Sequence, residues 1–241
     1  MTQAKQVVDA AEAPITVQTQ PQPIDMSKLK GKLVYFVSLP SGYSLRLWNG
    51  FAAAAHVAGL NPVFGAGSTP EQWNASIQQA VARHAAGIMI MAVTPSLVAS
   101  SVAQAKAAGI PVVSQNTIPP AATGMDATVL VSSTLANAPV AYAATQTGCK
   151  LNALLAYDPS FVGFLSIAAA ASAEVHRLCP TTCTTQNLSV SVATMVTDAG
   201  PSLQSTLQRD PSINAVIPLF DSLALVMQPA LAQSGSSAKM Y

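Results

Sequence analysis

The sequence contains few charged and few aromatic residues for its length. Only 9% of its 241 residues are charged and 5% are aromatic, whereas half are apolar. The formal net charge is +1, and no basic block occurs, which argues against a nucleic acid partner. No uninterrupted run reaches the roughly 18 apolar residues of a membrane span. The nearest candidate, residues 161–173, contains Gly163, Ser166 and Ser172, so we expect no stable insertion in a membrane.

Cysteine is also scarce, with three residues in the chain. Cys179 and Cys183 lie in one short turn between a helical segment and a strand-like one. A disulfide between them and a pair of free thiols fit this spacing equally well. We predict the disulfide, which would favour an oxidising compartment. Cys149 has no evident partner and is expected to be a small buried residue. Too few Cys and His residues cluster for a structural zinc site, and we expect no cofactor.

The first thirty residues differ from the rest of the chain. Met1–Lys30 is rich in Gln, Pro, Thr and Ala and has no periodic apolar face. We therefore predict a disordered lead or linker over residues 1–30. The segment has no apolar core of a signal peptide, which is compatible with a cytosolic protein and with an exported protein shown without its leader.

Strand-like and helix-like segments alternate through the next hundred residues. The pattern predicts strands at 33–38, 62–65, 87–92 and 111–115 and helices at 44–58, 70–85 and 95–108. Pro70 and Pro95 occupy helix starts, and Gly59 and Gly109 follow helix ends. Such alternation is typical of parallel βαβ units, in which ligands bind beyond the carboxyl ends of the strands.

The pattern starts again in the second half of the chain. After a further strand at 127–132 and a helix at 135–147, it restarts with strands at 151–157, 188–195 and 215–219 and helices at 161–178, 201–208 and 222–233. We therefore predict an α/β protein with two Rossmann-like lobes and parallel sheets, over residues 31–127 and 128–241. The final residues SSAKMY resemble the start of one more strand, so we expect the second lobe to be incomplete and the chain to be truncated.

Several segments, in their order and spacing, carry a family resemblance. They include NGFAAAAHVAGL (Asn49–Leu60), AQAKAAGIPVVSQN (Ala103–Asn116) and DPSINAVIPLFDSLAL (Asp210–Leu225). The chain resembles the periplasmic sugar-binding proteins of ABC importers, whose type I fold is shared with the ligand domains of LacI-type repressors. The resemblance implies two lobes that close on a small molecule in a cleft, delivery to an ABC permease, a periplasmic or extracytoplasmic location and a monomer.

The resemblance also implies ligand contacts in the first lobe. The family's Asn-Pro-Phe-Phe loop corresponds to a stretch that contains Ser41, Tyr43 and Ser44, in which Tyr43 would stack on a ring; the alternative is an ordinary surface turn. Thr94 stands where the family commonly has an Asp that accepts hydrogen bonds from hydroxyls, although it could instead cap the following helix. Asn116 follows the fourth strand and offers an amide, or is a turn residue.

In the second lobe the resemblance places Asp158, Ser160 and Phe161 after the first strand. Asp158 could contact ligand or cap the next helix. After the third strand of that lobe the family often has Asn-Asp, and here the pair is Phe220-Asp221.

These replacements remove polar contacts that the family makes with sugars. Thr94 and Phe220 replace an Asp and an Asn, and the Arg that the family often places early in the second-lobe helix has no counterpart at residues 163–165. Each buried hydroxyl left unpaired costs about 1–3 kcal/mol. We therefore expect a less polar or aromatic-bearing compound rather than a fully hydroxylated pyranose.

No catalytic motif is present. His56, His84 and His176 lie in helical, Ala-rich contexts, and the sequence has no G-x-S-x-G elbow, Walker A run or G-x-G-x-x-G after a strand. We therefore predict no enzyme. Two alternatives stay open: the ligand-sensing core of a LacI-type regulator, although Met1–Lys30 supplies no basic helix-turn-helix, and a small-molecule enzyme on a flavodoxin-like sheet.

Overall fold

The computed structural model describes residues 2–14, 22–115, 124–129 and 132–241. The chain divides into two compact units. Unit N comprises Val17–Val131, and unit C comprises Ser132–Tyr241 together with Met1–Thr16, which contains helix α1 (Thr2–Glu12). Each unit has a parallel β-sheet with helices, which confirms the predicted α/β class. Within the described residues, no helix combines the length and apolarity needed to cross a membrane.

Unit N is built on a sheet that, in the described residues, has the strand order β2-β1-β3-β4-β5, with every neighbouring pair parallel. The strands are β1 (Leu33–Ser38), β2 (Asn61–Ala66), β3 (Gly87–Met91), β4 (Val112–Gln115) and β5 (Ala127–Val129). The α-helices are α2 (Gly42–Val57), α3 (Pro70–Ala82) and α4 (Ala99–Ala107), and short 3-10 turns lie at Ser27–Leu29 and Pro95–Leu97.

Strand β1 shows why the sheet of unit N is apolar on both faces. Tyr35 and Val37 are fully buried with Ile77 of α3 in one core cluster. Phe36 points to the opposite face, where its ring centroid lies 5.3 Å from that of Phe51 in α2. A parallel strand covered by helices on both faces needs a continuous apolar run rather than an alternating one.

Unit C has the strand order β7-β6-β8-β9 in its described residues, again with parallel neighbours. The strands are β6 (Asn152–Tyr157), β7 (Thr184–Ser189), β8 (Ala215–Pro218) and β9 (Lys239–Met240). The α-helices are α5 (Asn137–Gln146), α6 (Val162–Leu178), α7 (Met195–Arg209) and α8 (Asp221–Gln233), preceded by a 3-10 turn at Ser133–Ala136. The strand expected within SSAKMY is therefore confirmed as β9.

Two predicted elements of unit C are displaced. The strand expected at 188–195 is the earlier segment β7, whose polar sequence TTQNLS pairs with β6 on one side only. An edge strand tolerates polar residues, so hydrophobicity does not mark it. The helix expected at 201–208 begins at Met195 and carries Pro201 inside it, because α7 buries a long face that includes Ala199 and Leu203.

Part of the predicted disordered lead is a helix. The residues of α1 that face unit C are Ala4, which is fully buried, and Val7 and Val8, which are half-buried. Their spacing of three and four residues puts them on one helix face, and this face packs on α5. Arg177 of α6 donates a hydrogen bond of 3.3 Å to the Gln3 side chain. Tertiary packing thus stabilises a helix too short to persist alone.

The predicted disulfide pairing is wrong. The disulfide joins Cys149 to Cys179, with a Cα–Cα distance of 5.6 Å, and Cys183 is a buried free thiol. Cys149 precedes β6 and Cys179 ends α6, so the bond ties the helix end to the amino end of the sheet. Cys183 turns into the core instead, where its sulfur accepts the N–H of Leu151 at 3.2 Å.

Candidate functional site

Three serine hydroxyls meet at the carboxyl end of β1. Ser38 and Ser44 are 0% and 2% exposed, and the Ser38 Oγ lies 3.1 Å from the Ser44 Oγ. The Ser44 hydroxyl also lies 2.9 Å from that of Ser41, and the Ser44 N–H donates to the Ser41 Oγ, which caps α2. Two of the predicted ligand contacts, Ser41 and Ser44, therefore hold the start of α2 through internal hydrogen bonds.

The other predicted contacts of unit N also follow strands. Tyr43 lies in the first turn of α2 and is 37% exposed. Thr94 follows β3 and precedes the 3-10 turn Pro95–Leu97, but its side chain makes no capping hydrogen bond. Two residues earlier, Ala92 has a φ of +52°, a left-handed conformation that costs energy and often accompanies functional loops. Asn116 lies outside the described residues.

Asp158 is buried at the carboxyl end of β6, with 4% exposure. Its Oδ1 accepts the Ser160 N–H at 2.9 Å and the Ser160 hydroxyl at 2.6 Å. Its Oδ2 accepts the N–H of Val192 at 2.7 Å. The carboxylate thus joins the loop after β6 to the loop after β7. The expected capping of α6 is not observed, since Phe161 holds the N-cap position and no side chain caps the helix.

Three phenylalanine rings form a cluster at the same edge of unit C. Phe164 and Phe220 stack with centroids 4.8 Å apart and an interplanar angle of 18°. Phe161 meets Phe164 edge-on at 5.9 Å and 62°. All three side chains are half-buried. We call Phe161, Phe164 and Phe220 the Phe trio; Phe164 was missed from the sequence, although its i, i+3 spacing from Phe161 on a helix was a usable signal.

The trio assembles because β6 and β8 are neighbours in the sheet. Phe161 and Phe164 begin α6 after β6, whereas Phe220 holds the N-cap position of α8 after β8, with extended backbone angles of −157° and 148°. Asp221 is exposed in the first turn of α8, where the helix dipole favours a carboxylate.

The histidines lie away from these loops. His56 and His176 are in the last turns of α2 and α6, and His84 lies two residues after the end of α3. All three are exposed. In βα units the carboxyl ends of the helices lie at the amino edge of the sheet, opposite the loops that follow the strands. In the parts of the chain that the structure describes, no three His, Cys, Asp or Glu residues are grouped to hold a metal ion.

Solved structures share this fold at low sequence identity. A solute-binding protein of an ABC transporter from Agrobacterium vitis, solved with bound allitol, is 19% identical with a TM-score of 0.76, over 88% of this chain and 76% of its own. A carbohydrate transporter from Acidothermus cellulolyticus in complex with myo-inositol is 22% identical with a TM-score of 0.71, over 87% and 73%. A 5-methylthioribose transporter solute-binding protein from Thermotoga lettingae, in complex with 5-methylthioribose, is 14% identical with a TM-score of 0.74, over 87% and 67%.

At these low identities the solved structures show a shared fold, whereas a family model shows to which protein family the chain belongs. No curated protein matches the chain. The model of the periplasmic binding protein domain matches residues 34–241, which begin in β1 and include both sheets. The match covers most of the chain and agrees with the resemblance seen in the sequence. The chain therefore belongs to the family of periplasmic binding protein domains.

Proposed function

We propose that this protein captures a neutral small molecule, either a sugar or a less polar, aromatic-bearing compound, and delivers it unchanged to an ABC permease. The observation that carries the proposal is the family match over residues 34–241. The structures with allitol, myo-inositol and 5-methylthioribose support it, because these ligands are small, uncharged and rich in hydroxyls. The last of them also carries an apolar methylthio group.

The proposed ligand contacts are the accessible side chains that follow the strands. In unit N they are Tyr43 and Thr94, with Asn116 as a further prediction. In unit C they are Phe161, Phe220 and Asp221. The internally bonded residues support these contacts: Ser41 and Ser44 hold the start of α2, and Asp158 and Ser160 hold the loop before α6.

A location outside the cytoplasm is part of the proposal. The Cys149–Cys179 disulfide supports it, since disulfides persist in oxidising compartments and are rare in the cytosol. An extracytoplasmic binding protein would meet its permease at the membrane surface. We propose that it does so as a monomer, and sedimentation of the oxidised protein tests this oligomeric state.

Binding and turnover can be tested together. Thermal shift measurements with a panel of hexoses, pentoses, polyols and aryl glycosides identify a stabilising ligand, and titration calorimetry gives its affinity. At 100 times the dissociation constant a ligand stabilises the protein by about 2.7 kcal/mol. We expect recovery of the bound ligand chemically unchanged by mass spectrometry. A converted ligand would contradict the proposal in favour of an enzyme.

A variant pair localises the binding in unit N. Tyr43→Ala should weaken the ligand by about 0.5–1.5 kcal/mol, the value of one aromatic stacking contact. Tyr142→Ala is the matched control, because Tyr142 is a similarly exposed tyrosine, on α5 in unit C, whose ring contacts Tyr241. Equal losses in both variants would remove Tyr43 from the site.

A further inference from the structure

We infer that the ligand carries an aromatic ring and that this ring packs against the Phe trio at the carboxyl edge of unit C. The inference rests on the proposed function and narrows its substrate class to neutral compounds that combine an aromatic ring with a hydroxyl-bearing part. Aryl glycosides and nucleosides share this chemistry.

The distribution of phenylalanine supports a specific role for the trio. The sequence has six phenylalanines. Phe36, Phe51 and Phe64 form one aromatic cluster with Trp48, in which Phe36 is 1% exposed and packs against α2. The other three form the trio.

The trio lies outside the fully buried residues of unit C. One buried cluster in the described part of unit C is aliphatic, with members such as Leu154, Leu203 and Met227, and Phe220 is partly buried against it. The three rings are half-buried at the start of α6, where Phe161 is the N-cap and Phe164 lies in the first turn, and at the N-cap of α8. An apolar surface that remains partly in water gains free energy when a ligand covers it.

The geometry of the trio suits an aromatic ring. Phe164 and Phe220 stack on each other, and the Phe161 ring is inclined at 62° to the Phe164 ring. The trio therefore has two aromatic surfaces at an angle to each other. An incoming ring can stack on one surface and meet the other edge-on, and both arrangements are favourable for aromatic pairs. The area of three half-buried side chains is small compared with the roughly 800 Å² that each partner buries in a stable protein interface. A small molecule is therefore the occupant that fits.

The polar groups nearby point to the same ligand class. Among the described residues at this edge, Asp158 is the carboxylate that is buried. One of its oxygens accepts hydrogen bonds from Ser160 and the other accepts one from Val192. Three of the roughly four acceptor positions of the carboxylate are thereby filled, so at most one is left for a sugar hydroxyl. The ligand part that faces the trio is thus apolar, and its hydroxyls belong on another part of the molecule.

Matched ligand pairs test the inference by titration calorimetry on the full chain. The pairs are phenyl and methyl β-D-glucopyranoside, and adenosine and ribose, so each pair differs by an aromatic group. We expect the aromatic member of at least one pair to bind about 10-fold more tightly. The pair that responds distinguishes an aryl glycoside from a nucleoside as the natural class.

Variants show whether the trio causes the difference. Phe164→Leu and Phe220→Asn should reduce the preference for the aromatic member to less than about 3-fold, while Tyr142→Leu, which removes a ring of unit C outside the trio, should keep it. Circular dichroism and melting temperature confirm that each variant is folded. Phe164→Leu keeps an apolar side chain of similar size, so it remains informative if Phe220→Asn fails to fold.

The failures of the two proposals can be told apart. Equal or tighter binding of methyl glucoside and ribose would overturn the inference and leave the proposed function intact. An aromatic preference that survives Phe164→Leu would also overturn it, since another surface would then hold the ring. Binding of none of the four compounds, nor of any sugar or polyol of the panel, would refute the proposed function and the inference with it.

Discussion

Loss of the Cys149–Cys179 disulfide should destabilise unit C strongly. The bond closes a loop with a sequence separation of 30 residues, for which the loop-closure entropy of the unfolded chain gives about 3.6 kcal/mol at 25 °C. For a protein of this size each kcal/mol corresponds to roughly 2–4 °C in melting temperature. Reduction should therefore lower the melting temperature of unit C by about 7–14 °C.

The assay compares reductant sensitivity among three proteins. The wild-type chain and Cys183→Ser should both lose stability in dithiothreitol. The double variant Cys149→Ser/Cys179→Ser should melt at the reduced temperature with or without reductant. Serine suits position 183 because its oxygen can still accept the N–H of Leu151.

Peptide mapping tests the pairing independently. Trypsin cleaves after Lys106, Lys150, Arg177 and Arg209, so Cys149 lies in peptide 107–150 and the other two cysteines in peptide 178–209. Without reductant we expect these peptides to migrate as one cross-linked species, with fragmentation placing the link at Cys179. Separate peptides, or a Cys183→Ser variant that is insensitive to reductant, would refute the pairing and the stability argument built on it.

Three further predictions concern backbone, docking and charge. His84 has a φ of +52° after α3, a conformation that glycine adopts without strain, so His84→Gly should stabilise the folded protein by about 0.5–1 kcal/mol in thermal melts. His56→Gly, inside α2, should destabilise the folded protein. Ala4→Asp should weaken the packing of α1 on the rest of unit C by about 1–3 kcal/mol, because it places a charge in a fully buried contact. Faster tryptic cleavage within α1 would show this effect, and an unchanged rate would mean that α1 is not docked. The Val112 N–H bonded to Asp126 holds the pKa of that carboxyl below its ordinary value of 3.8. This bond therefore stabilises the fold above pH 3.8 and is lost as pH falls through the lowered pKa, so Asp126→Asn should reduce the decline in melting temperature between about pH 5 and 3.

Elements with strong apolar periodicity could be predicted from the sequence, and elements defined by tertiary contacts could not. Strand β1 was predicted with its observed bounds, Leu33–Ser38, because its apolar run reflects burial on both faces. Strand β7 and helix α1 were not, since an edge strand can be polar and α1 depends on packing against α5. The disulfide was mispredicted for a similar reason. The short separation of Cys179 and Cys183 along the chain does not show that Cys149, which precedes β6, lies next to Cys179 in the fold.

The candidate site was predicted by position more accurately than by role. Tyr43, Phe161 and Phe220 follow strands as expected, and the structure adds Phe164 to the aromatic group. The role of Asp158 depends on the N–H of Val192, which lies on a different loop. A sequence shows that a carboxylate follows a strand, but not which distant donors will reach it.

The use of hydrogen-bonding capacity therefore separates supporting residues from candidate ligand contacts in this fold. Ser44 and Asp158 are buried, and their polar atoms are bonded inside the protein, so little of their hydrogen-bonding capacity is left for a ligand. Phe161, Phe164 and Phe220 are in the opposite situation, because their half-exposed rings lose nothing when covered and gain free energy from leaving water. At the carboxyl edge of unit C, this difference favours an apolar ring over a hydroxyl as the part of the ligand that binds there.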